Sequence, residues 1–292
     1  YEVRADQILM ENGRAAGIHA YQTIDGTEYT IKAKRGVLVG TGGFAANVEM
    51  RQKYNTQWAD LGPNVSTTNG VYATGDGIEM AEAVGADLVD MGLIQMLAFA
   101  EPGSGRTDSG VGEATNLWVN KEGKRFVDET QRRDVLSNAV LTQTDAIFYC
   151  ISNDNNKRCV DDNTNYSGLK LTDLIAQGLL YKADTLEELA AQIGCDPATL
   201  VATVDAYNEC VRTGVDEEFG RTAFGDLYLL ETGPYYACPR TVAVHHTMGG
   251  IRVDKDAHVI GTDGQIIPGL YAAGETTGGY HGGNRLGGNA VM

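Results

Sequence analysis

From Gly269 to Met292 the chain reads GLYAAGETTGGYHGGNRLGGNAVM, with one Arg, one His and two Asn among three Gly-Gly pairs. Glycine carries no Cβ, so such a stretch lets backbone N–H groups approach a ligand closely. Arg285 places one fixed positive charge within it. A flexible linker is the bland alternative, but linkers are padded with Ser and lack the strand-like entry that Gly269, Leu270, Tyr271, Ala272 and Ala273 provide. A second stretch has the same flavour. The apolar run Val37-Leu38-Val39 leads straight into Gly40-Thr41-Gly42-Gly43, as a buried parallel strand does when it delivers its C-terminal end to a ligand. A tight turn would read the same way. Asp76 stands where the chain enters a helix, and it serves there either as an N-cap or as a ligand contact.

The elements that must position these residues are legible in the spacing. Val3, Ala5 and Ile8–Met10, then Asn12-Gly13, then Ala16–Ala20 read as a β-hairpin, and Tyr29, Ile31 and Ala33 alternate as a further strand. Ile78, Met80, Ala81 and Val84 fall on one helical face, with Gly85 as a C-cap. Leu117–Asn120 and Arg125–Asp128 read as a hairpin around Glu122-Gly123. From Asp134 to about Thr213 the pattern turns to helix and loop. Thr185 with Glu188 makes a capping box there, and Asp196-Pro197 starts a second amphipathic helix. Strand character resumes in VAVHHTMGGIRVD, and HVIGTDGQIIPGLYAAGE is hairpin-like.

Composition bounds the function. The 292 residues are 42% hydrophobic and 21% charged, an ordinary globular balance. Basic residues number 23 against 39 acidic, for a net charge of −16. That argues against a nucleic-acid partner, whose binding rests on Lys and Arg neutralising phosphates. No apolar run approaches the roughly 20 residues of a membrane helix. The five cysteines are odd in number and form no CxxC pair, so no metal site is expected and most should be buried thiols.

HHTMGGIRVD followed by PGLYAAGETTGGYHGGNRLGGNAV resembles the C-terminal half of the flavin-dependent fumarate reductase/succinate dehydrogenase flavoprotein superfamily. The nearest branch is that of the soluble flavocytochrome fumarate reductases and urocanate reductases. VLVGTGGFAANVEM, ATGDGIEMAEAVGADLVDM and VNKEGKRFVDETQRRD fall in the order that family gives, so the resemblance covers nearly the whole chain. It implies an α/β (α+β) fold: a discontinuous, partial Rossmann-like FAD-binding domain at residues 1–92 and 228–292, with an inserted α+β substrate-capping domain at residues 93–227. It implies FAD as cofactor, with the GxGxxG phosphate turn of the family lying outside this sequence. An electron-donor protein or haem domain is the implied partner. The implied activity is reduction of an activated C=C bond in an unsaturated carboxylate substrate.

The resemblance also implies roles. Arg285 would clamp the substrate carboxylate, with His245 bonded to the same group and Gly288 beside it. His246, Glu275, Asp76, Thr41, Gly42, Ala290 and Val291 would touch the flavin cofactor, and Val3 its adenine. Arg133 would be the proton donor, with Arg132 as the alternative; an ion pair with Asp134 or Glu129 is the structural reading of Arg133. Two departures bear on substrate. Leu97 stands where fumarate-specific members have a substrate-binding His. The segment that completes their dicarboxylate clamp aligns with Asp108, Ser109 and Gly112, or, with a gap, with Glu113 and Ala114. An enoate larger or less charged than fumarate, aromatic ones included, is the expectation. A flavoprotein oxidase or dehydrogenase, and a binding module without activity, are the rival readings.

Overall fold

The computed structural model of the protein describes residues 2–287. Helices and strands mix along the chain, and the fold is α/β. The chain divides into two compact units, residues 1–95 with 244–292 and residues 96–243. The second break between these compact units falls at 243/244, where the expected domain boundary lay at 227/228. Hydrogen-bonded pairing explains the difference. Tyr235–Arg240 zips antiparallel onto Phe148–Asn153, and Tyr235–Ala237 onto Tyr181–Ala183, which makes this stretch an inner strand of the second unit.

In the first unit, Val3–Glu11, Arg14–Gln22 and Glu28–Lys32 form an antiparallel meander. Asn12 and Gly13 both take positive φ, 51° and 76°, as a two-residue hairpin of this hand requires. A second sheet orders His258–Ile260, Ile266–Ala272 and Val37–Val39, with the last two parallel in the register Tyr271↔Leu38. Val37–Val39 is an edge of that sheet among the described residues, and Leu38 on it is 66% exposed. Because the pair is parallel, both C-terminal ends emerge side by side. Ala273 N–H donates to Val39 O at 3.0 Å, so the loops Gly40–Phe44 and Ala273–Glu275 start from one place. Asp76–Ala83 is helical and buries Ile78, Met80 and Ala81.

In the second unit, Tyr181–Ala183, Tyr235–Arg240, Phe148–Asn153 and Leu117–Asn120 are neighbours in an antiparallel sheet. Helices Leu186–Ile193 and Pro197–Thr213 share a core with it through Leu189, Leu200, Val204, Leu117 and Ile151. Thr185 caps the first helix by accepting from Glu188 N at 3.2 Å, while the Glu188 carboxylate reaches back to Asp184 N, one residue before the box position. Asp196 accepts from Thr199 N at 2.8 Å ahead of Pro197.

Three sequence expectations need correction here. The helix-and-loop region contains the strand Phe148–Asn153, every residue of which is buried. Its apolar run does not alternate because both faces are covered. The hairpin at Glu122-Gly123 has one regular arm only, since past a single bridge at Val119↔Arg125 the second arm leaves the sheet. Ion pairing accounts for that departure. Arg125 is drawn to Glu129 at 2.9 Å and to Asp216 at 2.7 Å, all three side chains being buried. Of the thiols, Cys150 and Cys238 are buried and the other three are half-buried. Among the described residues, no helix is long and apolar enough to cross a membrane.

Candidate functional site

A cleft of about 840 Å³ in the first unit is lined by His245, His246, Ala272–Glu275, His281 and Arg285, among others. That volume is in the range of small-molecule sites. A larger groove in the second unit runs along Pro197–Thr213 and holds none of the predicted residues.

Glu275 stands three residues past the end of the Ile266–Ala272 strand, and its Oε1 accepts from Thr247 N at 3.0 Å. Thr247 Oγ1 in turn accepts from Phe44 N at 3.2 Å, which ties the loop after Val37–Val39 to the same carboxylate. Gly43 makes this approach possible: a Cβ there would collide with Thr247 Oγ1 and lie 2.7 Å from Glu275 Oε1. Burial raises the Glu275 pKa, against opposing contributions from the Thr247 N–H and the Arg285 charge. The folded state thus holds this proton more tightly than the unfolded chain does. Its contribution to stability is complete below the ordinary glutamate pKa and is lost as pH rises through the raised one. Urea titrations from acid to neutral pH should show that decline in the wild type, and Glu275→Gln should flatten it. An unchanged slope would mean that Glu275 is not the group responsible.

His245 and His246 sit on the Tyr235–Thr247 strand, where alternation turns consecutive side chains to opposite faces. His245 Nδ1 lies 2.7 Å from Thr68 Oγ1, and Asn69 Nδ2 donates to the His245 carbonyl at 3.2 Å. His246 is buried and meets the His281 ring edge-on, with centroids 5.4 Å apart. Burial lowers the His281 pKa, and the nearby Arg285 charge lowers it further.

Arg285 is buried, so it is no surface ion pair. Its Nε has no hydrogen-bond partner among the described residues, and Nη1 makes only a long contact of 3.5 Å with Gly287 O. Burial lowers its pKa, while the Glu275 charge raises it. Gln95 fixes the backbone beside it, donating to Arg285 O at 2.9 Å and to Asn284 Oδ1 at 3.1 Å. A buried guanidinium with an unused donor calls for an anion.

Of the remaining predicted residues, those that are described do not line this cleft. Asp76 is the first residue of its helix, and the cap position belongs to Gly75. The Asp76 carboxylate is gripped by both Nε and Nη2 of Arg4 at 2.7 Å, next to Val3 on the opening strand. Thr41 and Gly42 belong to the loop after Val37–Val39. There Gly42 takes φ +81°, and Thr41 fills the space that a Cβ on Gly77 would need. Gly288, Ala290 and Val291 lie outside the described residues. In the second unit, Arg133 is the first residue of the helix Arg133–Leu141 and half-buried. Arg132 pairs with Asp134 at 3.0 Å, and Glu129 is engaged by Arg125 and Arg221. Leu97 is half-buried, Ser109 accepts from Arg240 at 3.2 Å, and Asp108 and Glu113 pair with Arg106 and Arg158.

Sequence reasoning missed Thr68, Asn69, Thr247 and His281. His281 and Thr247 stood inside quoted motifs and could have been flagged as polar residues between glycines and histidines. Nothing in Thr67-Thr68-Asn69-Gly70 separates it from an ordinary polar loop. Asp254, Asp256 and His258 bring ligand atoms within 4.8 Å of one another, on a turn where Asp254 already accepts from the Asp256 and His258 N–H groups.

These features fit a flavin. A polyol chain needs acceptors such as the Glu275 carboxylate, and an anionic ligand needs Arg285. Residues 1–291 match the family described as FAD binding domain. The chain is 45% identical, over its whole length, to 28% of the NADH:acrylate oxidoreductase of Vibrio harveyi. It is 39% identical over 97% of its length to 46% of the urocanate reductase of Eggerthella lenta. The open conformation of a flavocytochrome c3 fumarate reductase superposes with a TM-score of 0.76 at 34% identity, covering 99% of this chain and 49% of that one. The chain thus spans less than half the length of each of these proteins. It belongs to the FAD binding domain family, whose cofactor is FAD.

Proposed function

We propose that the protein containing this chain is an FAD-dependent reductase of an activated C=C bond conjugated to a carboxylate. The observation that carries this reading is Arg285: a buried guanidinium whose Nε has no partner among the described residues, in one cleft with His245 and Glu275. Arg285 holds the substrate carboxylate in a planar fork and draws electron density from the double bond. His245 hydrogen-bonds the same carboxylate. Glu275, steadied by Thr247, would accept from the hydroxyls of bound FAD, and His246 would pack against the cofactor. Thr41, Gly42, Asp76 and Val3 would hold its remaining parts. FAD, once reduced by an electron donor, would supply hydride-transfer chemistry toward one alkene carbon. Arg133 gives a guanidinium proton to the other carbon as negative charge develops there, and is reprotonated afterwards.

The substrate is an enoate with a single carboxylate. Leu97 in place of a cationic or hydrogen-bonding side chain supports this, as does similarity to an enzyme named for acrylate. The reductive direction is favoured over oxidase chemistry because the three relatives described are named as reductases or as an acrylate oxidoreductase.

The test uses the full-length protein with bound FAD and compares monocarboxylate enoates with fumarate as oxidants of the reduced flavin. A monocarboxylate should be preferred. Arg285→Ala should raise KM, lower kcat and reduce kcat/KM about 100-fold, the scale of losing charge-assisted hydrogen bonds and alignment together. Full activity in Arg285→Ala would sink the reading.

A further inference from the structure

We propose that Thr68 is a positioning residue for His245: its hydroxyl donates to Nδ1 and so keeps the ring proton on Nε2. This rests on the assignment of His245 to the substrate carboxylate.

A neutral imidazole has one N–H, and the partner of one nitrogen decides what the other can do. A carboxylate or carbonyl at Nδ1 only accepts, so it forces the proton onto Nδ1 and leaves Nε2 an acceptor. Such a ring repels a substrate carboxylate unless it is doubly protonated. A hydroxyl can donate, which leaves Nε2 carrying the N–H that a carboxylate oxygen needs. When the ring takes a second proton, the hydroxyl turns and accepts, so the contact survives either charge state.

The histidines of this chain show the contrast. His19 Nδ1 faces Asp6 at 2.6 Å and His258 Nδ1 faces Asp254 at 3.0 Å. His245 Nδ1 faces a hydroxyl at 2.7 Å.

The backbone around Thr68 is fixed on both sides. Val244 N donates to Ser66 O at 2.9 Å and Thr68 N to Val244 O at 2.9 Å, around a parallel bridge at Thr67↔Val244. Thr67 Oγ1 bonds Val244 O at 3.0 Å, and Asn69 holds the His245 carbonyl. A β-branched side chain on such a pinned backbone has few rotamers, so its hydroxyl is held against the ring. Packing alone would not need a hydroxyl; valine has the same shape.

The experiment has two readouts. Long-range 1H–15N correlation on the 15N-histidine-labelled protein should show His245 protonated on Nε2 in its neutral form, with His19 and His258 protonated on Nδ1. Thr68→Val should convert His245 to a mixture of tautomers, and Thr68→Ser should keep the wild-type signature. In the full-length FAD-loaded enzyme, Thr68→Val should lower kcat/KM about tenfold, mainly through KM, and Thr68→Ser should restore it. Nδ1 protonation of His245 in the wild type overturns the proposal, as does a Thr68→Val protein with unchanged tautomer. Serine behaving like valine would also overturn it, by assigning the effect to the threonine methyl. If the enzyme reduces no enoate while His245 shows the Nε2 proton, the functional reading fails and the tautomer assignment stands.

Discussion

Replacing Arg133 with alanine in the full-length enzyme is expected to slow substrate-dependent reoxidation of the flavin by about 100- to 10,000-fold, the range that a positioned general acid contributes. Reduction of the flavin by an artificial donor should stay near the wild-type rate, since the proton is needed only once hydride has moved. In the proposed mechanism Arg133 is that acid. It is the first residue of the helix Arg133–Leu141, where the positive end of the helix dipole disfavours a cation by about 0.3–1 kcal/mol. Its neighbour offers a control. Arg132 has a side chain 70% exposed and pairs with Asp134, so Arg132→Ala should change neither half-reaction appreciably. Stopped-flow traces separate the two halves. A wild-type reoxidation rate in Arg133→Ala would make that residue structural and send the search for the acid elsewhere.

Glu129→Ala should destabilise the second unit by about 3–5 kcal/mol, the scale of leaving buried charge without its partner. Glu129 has no exposed side-chain surface, and it receives Arg125 at 2.9 Å, Arg221 at 2.9 Å and the Trp118 N–H at 3.3 Å. Burial works against the Arg125 charge, but Glu129 and Asp216 outweigh it and hold its pKa above the ordinary value. Asp216 has the same balance in reverse. Its burial is overcome by the N–H groups of Phe219 and Arg221 and by Arg125, and its pKa is lowered. Removing Glu129 leaves Arg125 with Asp216 and takes from the fully buried Arg221 guanidinium its carboxylate partner among the described residues. Guanidinium chloride would screen the effect, so urea denaturation followed by Trp118 fluorescence is the suitable measurement. A loss below about 1 kcal/mol would show that water or a shifted side chain takes over the Glu129 role.

How much of this was legible beforehand depended on whether the determining interaction was local. The Asn12-Gly13 hairpin, the Thr185 and Asp196 caps and the Asp76–Ala83 helix each rest on residues a few positions apart. Their signatures were plain. The strand Phe148–Asn153 was missed because an inner strand, covered on both faces, loses the alternation that marks a strand. The second arm of the Glu122-Gly123 hairpin failed for a different reason. Arg125 leaves the sheet for Asp216, 91 residues away, and spacing cannot reveal such a partner. The site divides in the same way. Glu275, His245 and Arg285 were marked by their motifs, whereas Thr68 reaches His245 across 177 positions. Asp76 could be read as a cap, yet Gly75 takes that position and Arg4 takes the carboxylate.

The exposed row at Val37–Val39 bears on how the protein behaves in concentrated solution. Among the described residues, one side of this strand has no strand partner next to Leu38, which is the surface on which a second chain can add a strand. Two features blunt it. The row is only three residues long, and Lys34 and Arg35 stand just upstream as charged gatekeepers. Their repulsion between like edges weakens as salt is added. At high ionic strength this edge, as it stands among the described residues, is a place where chains can associate in spite of the net charge of −16 on the 292 residues.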